Sequence, residues 1–218
     1  MSSIFPRWTN HLPTAAAAAV PVLGLGVAVG VTYFFSPYYT DVGYSPEQPV
    51  AYSHELHAGE MGIDCRYCHN TIEYAGYAAV PATGTCMNCH KYVGTERESL
   101  AAVRESWDSG ESIPWMKIHQ LPDYAYFNHS VHVSAGVGCV SCHGRVDHME
   151  EVYLQEPLSM GWCMRCHRNA EVNLRPPSEV TNMAWSAEEE GYDVTQDKTH
   201  PYNTRGINPP QNCSGCHR

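Results

Sequence analysis

No cysteine in this 218-residue chain lies outside a Cys-x-x-Cys-His sequence. That absence removes several ordinary uses of the residue. A disulfide scaffold would not tie a histidine to every second cysteine, and no free thiol is left over. Structural zinc needs two cysteine pairs converging, with histidines at their own spacing. A thioredoxin-like motif would occur once, beside a βαβ pattern. Basic charge is also scarce: 13 Lys and Arg against 23 Asp and Glu leave a formal net charge of −10. There is no basic patch suited to nucleic acid and no glycine-rich phosphate loop. Finally, residues 11–40 contain no acidic residue, lysine or arginine.

What is present is one motif, five times over. Cys65/Cys68/His69, Cys86/Cys89/His90, Cys139/Cys142/His143, Cys163/Cys166/His167 and Cys213/Cys216/His217 account for all ten cysteines. The spacing is that of c-type haem attachment. Two thiols add across the vinyl groups, and the adjoining imidazole becomes the proximal iron ligand. We therefore expect five covalently attached haem c groups, with His69, His90, His143, His167 and His217 on the proximal faces. Porphyrin faces would then supply much of the buried apolar area that offsets chain entropy. The expected fold is a multihaem cytochrome c of class III-like type, mostly irregular, with short α-helices around a haem core.

The uncharged stretch at the front supplies an anchor. Ala15 to Phe35 is an apolar run of 21 residues, roughly 32 Å as a helix and enough to cross a bilayer. Pro21 is tolerated there. Tyr33, Tyr38 and Tyr39 suit one interfacial belt and Trp8 the other. "TYFFSPYY" offers no good cleavage site for a signal peptide. Arg7 sets the N-terminus in the cytoplasm by the positive-inside tendency, and covalent haem attachment in bacteria takes place on the outer side. The expected organisation is residues 1–40 as cytoplasmic end and single-pass anchor (helix about 14–36), then residues 41–218 as a periplasmic haem domain at the bacterial inner membrane. Gly26 and Gly30, with Gly24 nearby, offer a small-residue face to another helix.

An internal repeat organises the haem domain. "AYSHELHAGEMGIDCRYCH" and "YFNHSVHVSAGVGCVSCH" both run aromatic, His-x-x-His, then Cys-x-x-Cys-His. "PATGTCMNCHK" and "PLSMGWCMRCHR" echo one another further on. Residues 51–91 and 126–168 thus read as two copies of a two-haem unit, with a fifth haem at 213–217. Residues three apart on a helix face the same way, so they cannot sit trans across one iron. His54 and His57 should then reach two different haems as distal ligands, and so should His129 and His132. For the fifth distal position His119 comes first, then His148 or Met149, then His200. Residues 95–107 read as an amphipathic helix packed by Trp107 and Trp115. Met87, Met160 and Met164 read as packing beside porphyrin, and residues 171–212 as an arm that wraps something or trails in solvent.

"FNHSVHVSAGVGCVSCHGRVDHMEEV" followed by "LSMGWCMRCHR", with the earlier "HAGEMGIDCRYCH" and "CMNCHK", resembles the pentahaem cytochrome c subunit (ActA) of bacterial alternative complex III. The resemblance covers nearly the whole chain and extends to the order of the five motifs. It implies mainly bis-histidine haems. It also implies a membrane assembly with an iron–sulfur subunit, integral-membrane quinol-binding subunits and a monohaem cytochrome c. Electrons would pass from the quinol and iron–sulfur side to that cytochrome or to a periplasmic acceptor. The chain itself would be a relay and not a catalyst, with no catalytic residues of its own. Two alternatives share its features: a free-standing single-helix multihaem quinol dehydrogenase, and a multihaem reductase with one open iron face.

Overall fold

The computed structural model describes residues 4–217, which divide into two compact units at Val42/Gly43. The first unit is one helix with its flanking turns. A 3-10 turn over Arg7–His11 leads into α1, Leu12–Phe34, and a four-residue turn α2, Pro37–Thr40, follows. Helix α1 begins two residues ahead of the expected position because Pro13 sits in its first turn, where a missing N–H costs nothing. Its 23 residues span roughly 34 Å. It is long and apolar enough to cross a membrane, and its side chains are exposed along its whole length. Alanine and leucine favour the helix, and Pro21 lies inside it without ending it.

The second unit carries short helices and loops. Among the described residues there is no strand, only two isolated antiparallel bridges, Ala125 with His217 and Val137 with Leu174. A turn of π-helix over Glu55–Glu60 leads to α3, Cys65–Cys68, and then α4, Thr83–His90. Next comes α5, Ala101–Ser109, ended by Gly110 in the left-handed conformation at φ 76°. The second half has α6, His129–Ser134; α7, Val140–His143; and α8, Met160–Arg168. Two last turns, α9 over Pro201–Arg205 and α10 over Cys213–Cys216, close the chain.

Helix α5 starts later than the sequence pattern suggested. Arg104 Nη1 donates to the carbonyls of Thr95 (2.8 Å) and Arg97 (2.9 Å), holding residues 95–97 as a strap across its first turn. Apolar packing is thin. Val50, Met87 and Val103 form one small buried cluster, flanked by Cys86, Leu100, Ala102, Ile113 and Trp115. Met87 packs in this apolar cluster, and Met160 is 71% exposed. The arm after α8 does not trail in solvent. It is folded back through buried Leu174, Arg175, Val180, Val194 and His200. Its backbone is tied to the second repeat: Arg175 N–H donates to Gly136 O and Cys139 N–H to Val180 O.

Candidate haem-binding site

Every Cys-x-x-Cys pair begins, ends or lies within a short helix, so both thiols project to one side of a single turn. Side-chain caps start four of the neighbouring helices. Asp64 accepts from Arg66 N–H at the head of α3, Asn128 from Val131 N–H at α6, Ser159 from Trp162 N–H at α8 and Asn212 from Gly215 N–H at α10. All ten cysteines are unpaired by disulfides, and Cys89 and Cys213 are the exposed ones.

The two halves repeat one another in three dimensions. Tyr52 stacks on His57 (centroids 4.5 Å, 24°) and meets His54 edge-on (4.8 Å, 86°). Phe127 stacks on His132 (4.4 Å, 27°) and meets His129 edge-on (4.7 Å, 89°). His57 Nδ1 lies 2.8 Å from Ser53 O, and His132 Nδ1 2.8 Å from Asn128 O. The aromatic residue two before the first histidine fixes both imidazoles, a contact that sequence spacing hints at without specifying.

Seven imidazoles share one hydrogen-bonding habit. Nδ1 of His57, His69, His90, His129, His132, His167 and His217 each faces a backbone carbonyl, those of Ser53, Ala79, Val93, Gly76, Asn128, Pro210 and Tyr124 respectively, at 2.7–3.1 Å. A carbonyl only accepts, so Nδ1 carries the proton and Nε2 keeps its lone pair. That tautomer is the one a metal-bound histidine needs.

Ring separations then show which imidazoles oppose each other. His57 faces His90 with centroids 6.2 Å apart, and His132 faces His167 at 6.2 Å. Two imidazoles bound on opposite sides of one metal, each at about 2 Å with the ring centre about 1 Å further, would be roughly 6 Å apart. The donor set therefore fits an axial pair at α4 and another at α8.

The remaining candidates gather in the middle. His119 touches His143 edge-on at 4.3 Å, closer than a trans-axial pair. Burial is the main cause that holds His143 down at about 3, with His119, His129, His69 and His54 adding to it. His54 is held at about 4 by burial and then by His69, and His119 at about 4 by burial and then by His129. These groups are neutral at neutral pH, which is the ligating form. His54 Nδ1 and His119 Nε2 are buried without a hydrogen-bond partner, so each leaves a polar atom unanswered by the polypeptide. His217 is different: the ring beside it is Tyr124, at 5.8 Å.

The lesser candidates sit elsewhere. His148 is exposed on its side chain and contacts Arg145 Nη2 at 2.7 Å, with Asp147 Oδ2 at 3.7 Å. Met149 is buried, and both residues border a cleft with Glu150, Tyr153 and Glu156. His200 is 1% exposed, but its Nε2 faces Arg175 O at 3.0 Å and its Nδ1 accepts from Tyr202 N–H. Both of its nitrogens are engaged, so it offers no lone pair to a metal.

The thiols also follow an order in space that differs from their order in sequence. Burial, then Cys86, then Cys65 raise Cys68, so α3 and α4 are neighbours, and Asn88 of α4 donates to Tyr67 OH of α3. A hydrogen bond to Cys65 raises Cys139, joining the first motif to the third. Residues 180 and 181 bridge the same two motifs: Val180 O accepts from Cys139 N–H, and Thr181 Oγ1 donates to Asp64. Burial, then Cys166 and Cys163 push Cys142 up to about 12. Burial and Cys216 raise Cys163, and His167 Nδ1 reaches Pro210 O ahead of α10. The succession is second, first, third, fourth, fifth.

Comparison with known proteins agrees with this chemistry. The family described as Cytochrome c552 matches residues 95–200, which include the third and fourth motifs. The multiheme cytochrome c subunit of a menaquinone reductase from Nitratidesulfovibrio vulgaris is 29% identical over 183 residues, 73% of this chain and 86% of that one.

Proposed function

We propose that this chain is the electron-relay subunit of a quinone-linked membrane complex, with five covalent haem c groups set in a row outside the bilayer. When bound, haem supplies one-electron transfer at its iron. Everything else falls to the polypeptide. Ten cysteines fix the position of each group, and the Nδ1–H to carbonyl bonds orient the imidazoles. His57 with His90 and His132 with His167 would fill both axial positions at the second and fourth motifs. His54, His119 and His129 are available to the first and third, opposite His69 and His143, and His217 would be the proximal ligand of the fifth.

The observation that carries this reading is the continuous succession of motifs, tied together by Asn88 to Tyr67, by Val180 and Thr181 between Cys139 and Asp64, by His132 opposite His167, and by His167 to Pro210. A row of that kind suits transfer between haems. An iron capped on both faces leaves no room for substrate, so at the first four motifs the chain would relay electrons and catalysis would reside in other chains; at the fifth only the proximal ligand His217 is assigned. In the finer form of the proposal the assembly is of the alternative complex III type. Its iron–sulfur and quinol-binding subunits would feed the row, and a monohaem cytochrome c or a periplasmic acceptor would empty it. A second reading has one specific support: the Nitratidesulfovibrio relative is named for a menaquinone reductase, so electrons would run along the same row toward quinone.

Isolation of the native membrane complex tests both. Rapid reduction of five haems by added quinol, in an assembly with multi-helix subunits, supports the first direction. Quinone reduction by a pre-reduced complex, without oxidation of quinol, supports the second. A lone chain that oxidises quinol unaided would overturn the relay.

A further inference from the structure

Arg175 stands out among the charged side chains. It is 6% exposed, yet among the described residues it makes no ion pair. Nη1 donates to the carbonyls of Asn182 (2.9 Å) and Glu179 (3.5 Å), the guanidinium lies 4.9 Å over the Trp185 ring, and Nε is buried with no partner. Removing a guanidinium from water with no carboxylate in ion-pair contact is costly, and at its high intrinsic pKa it stays charged.

Its location is fixed by backbone. The Val137–Leu174 bridge and the Arg175 N–H to Gly136 O bond (2.9 Å) lay residues 174–175 along 136–137. The side chain then folds over the next residue, Gly138. A Cβ there would collide with the Arg175 guanidinium, with Nη2 at 2.6 Å. Glycine is needed at 138 for this approach, and the following residue is Cys139, whose thiol senses the Arg175 charge.

We propose that Arg175 is a fixed buried positive charge that raises the reduction potential of the haem attached through Cys139 and Cys142. The proposal rests on the relay reading above. The physical basis is short. Taking up one electron lowers the net charge of a haem by one, so a nearby cation favours the reduced state. In a poorly solvated interior that interaction is weakly screened. The third motif is the middle member of the row, so a raised potential there would hold electrons at its centre. Glu179 partly opposes the cation, since its carboxylate acts on Arg175 from the same loop.

The test is a redox titration of the purified holo-chain in wild type and in Arg175→Gln, Arg175→Lys and Glu179→Gln. The component that disappears in the Cys139→Ala/Cys142→Ala double variant identifies the third haem. Arg175→Gln should move that midpoint downward and leave the others in place, and Arg175→Lys should restore most of the shift. Glu179→Gln, a conservative surface change that can still accept from Asn182, should move it upward. Opposite signs at Arg175 and Glu179 would not arise from loosened packing. If Arg175→Gln does not accumulate with haem, the upward shift in Glu179→Gln decides alone. Unmoved midpoints in variants that retain five haems would overturn the role of Arg175. A wild-type chain lacking covalent haem would instead overturn the relay reading beneath it.

Discussion

His132 and His167 face one another with ring centroids 6.2 Å apart, the separation that also divides His57 from His90. The equality joins two places far apart in the sequence, and in each the second histidine of a His-x-x-His pair opposes the later motif of its own repeat. Replacing either His57 or His132 by alanine should therefore convert one low-spin haem to high-spin while five stay attached. Electron paramagnetic resonance of the purified protein reads this, and unchanged spectra in both variants would count against axial pairing.

The central group makes a sharper demand. His54, His119 and His129 surround two proximal histidines, His69 and His143. Single alanine replacements should yield a new high-spin signal at two of the three positions and none at the remaining one. A signal at all three would mean that one of them serves the haem at Cys213 and Cys216.

Much of this was legible in the sequence. Five Cys-x-x-Cys-His motifs fix where covalent attachment can occur, and the uncharged run at residues 11–40 marks the long helix. The His-x-x-His spacing gave the expectation that its members serve different haems, and in the structure His57 lies opposite His90 and His132 opposite His167. The crosswise docking of the repeats was not legible, because it depends on backbone. His129 Nδ1 bonds to Gly76 O of the first repeat, while Glu55 N–H donates to Met149 O after the third motif. Nor does a Pro- and Glu-rich composition reveal that residues 171–200 bury Arg175 beside Cys139. Burial in this domain is set by loops folding onto motifs, and such packing leaves no periodic pattern.

The third motif links the two halves: Val180 and Thr181 tie Cys139 to Asp64 beside the first motif, and Cys166 and Cys163 of the fourth raise Cys142. Replacing Cys139 and Cys142 together by alanine should lower the haem content from five to four. It should also separate the row into two parts that reduce at different rates. Stopped-flow absorbance with a donor confined to one end measures that, and a single undivided phase would contradict the spatial order.

Asp64 caps α3 and pairs with Arg66 at 2.8 Å, and it accepts from Thr181 of the arm. The hydrogen bond from Arg66 holds its carboxyl down at about 2. The folded value lies below the unfolded one, so this contribution is present above about pH 4 and is lost as pH falls toward 2. Asp64→Ala should cost about 1 kcal/mol through the lost cap, with Asp64→Asn retaining most of it near neutrality. Denaturant melts at pH 7 and pH 3 check both statements. A wild-type minus Asp64→Asn difference that does not shrink at the lower pH would argue against the ion pair.

Gly59 lies against the Asp147 carbonyl, where a Cβ has no room. Gly59→Ala should force the π-turn away from residues 146–148 and disturb His57, which lies two residues earlier. Loss of stability together with a partial high-spin signal is the expected pair of observations, and a silent substitution would show that the close approach is dispensable.

The most direct single measurement is the intact mass of the purified chain under denaturing conditions. The polypeptide alone weighs 24.2 kDa, and a covalent row of five requires that figure plus five haem masses, with iron and no zinc by elemental analysis. A mass equal to that of the amino acids alone would contradict everything built on the five motifs.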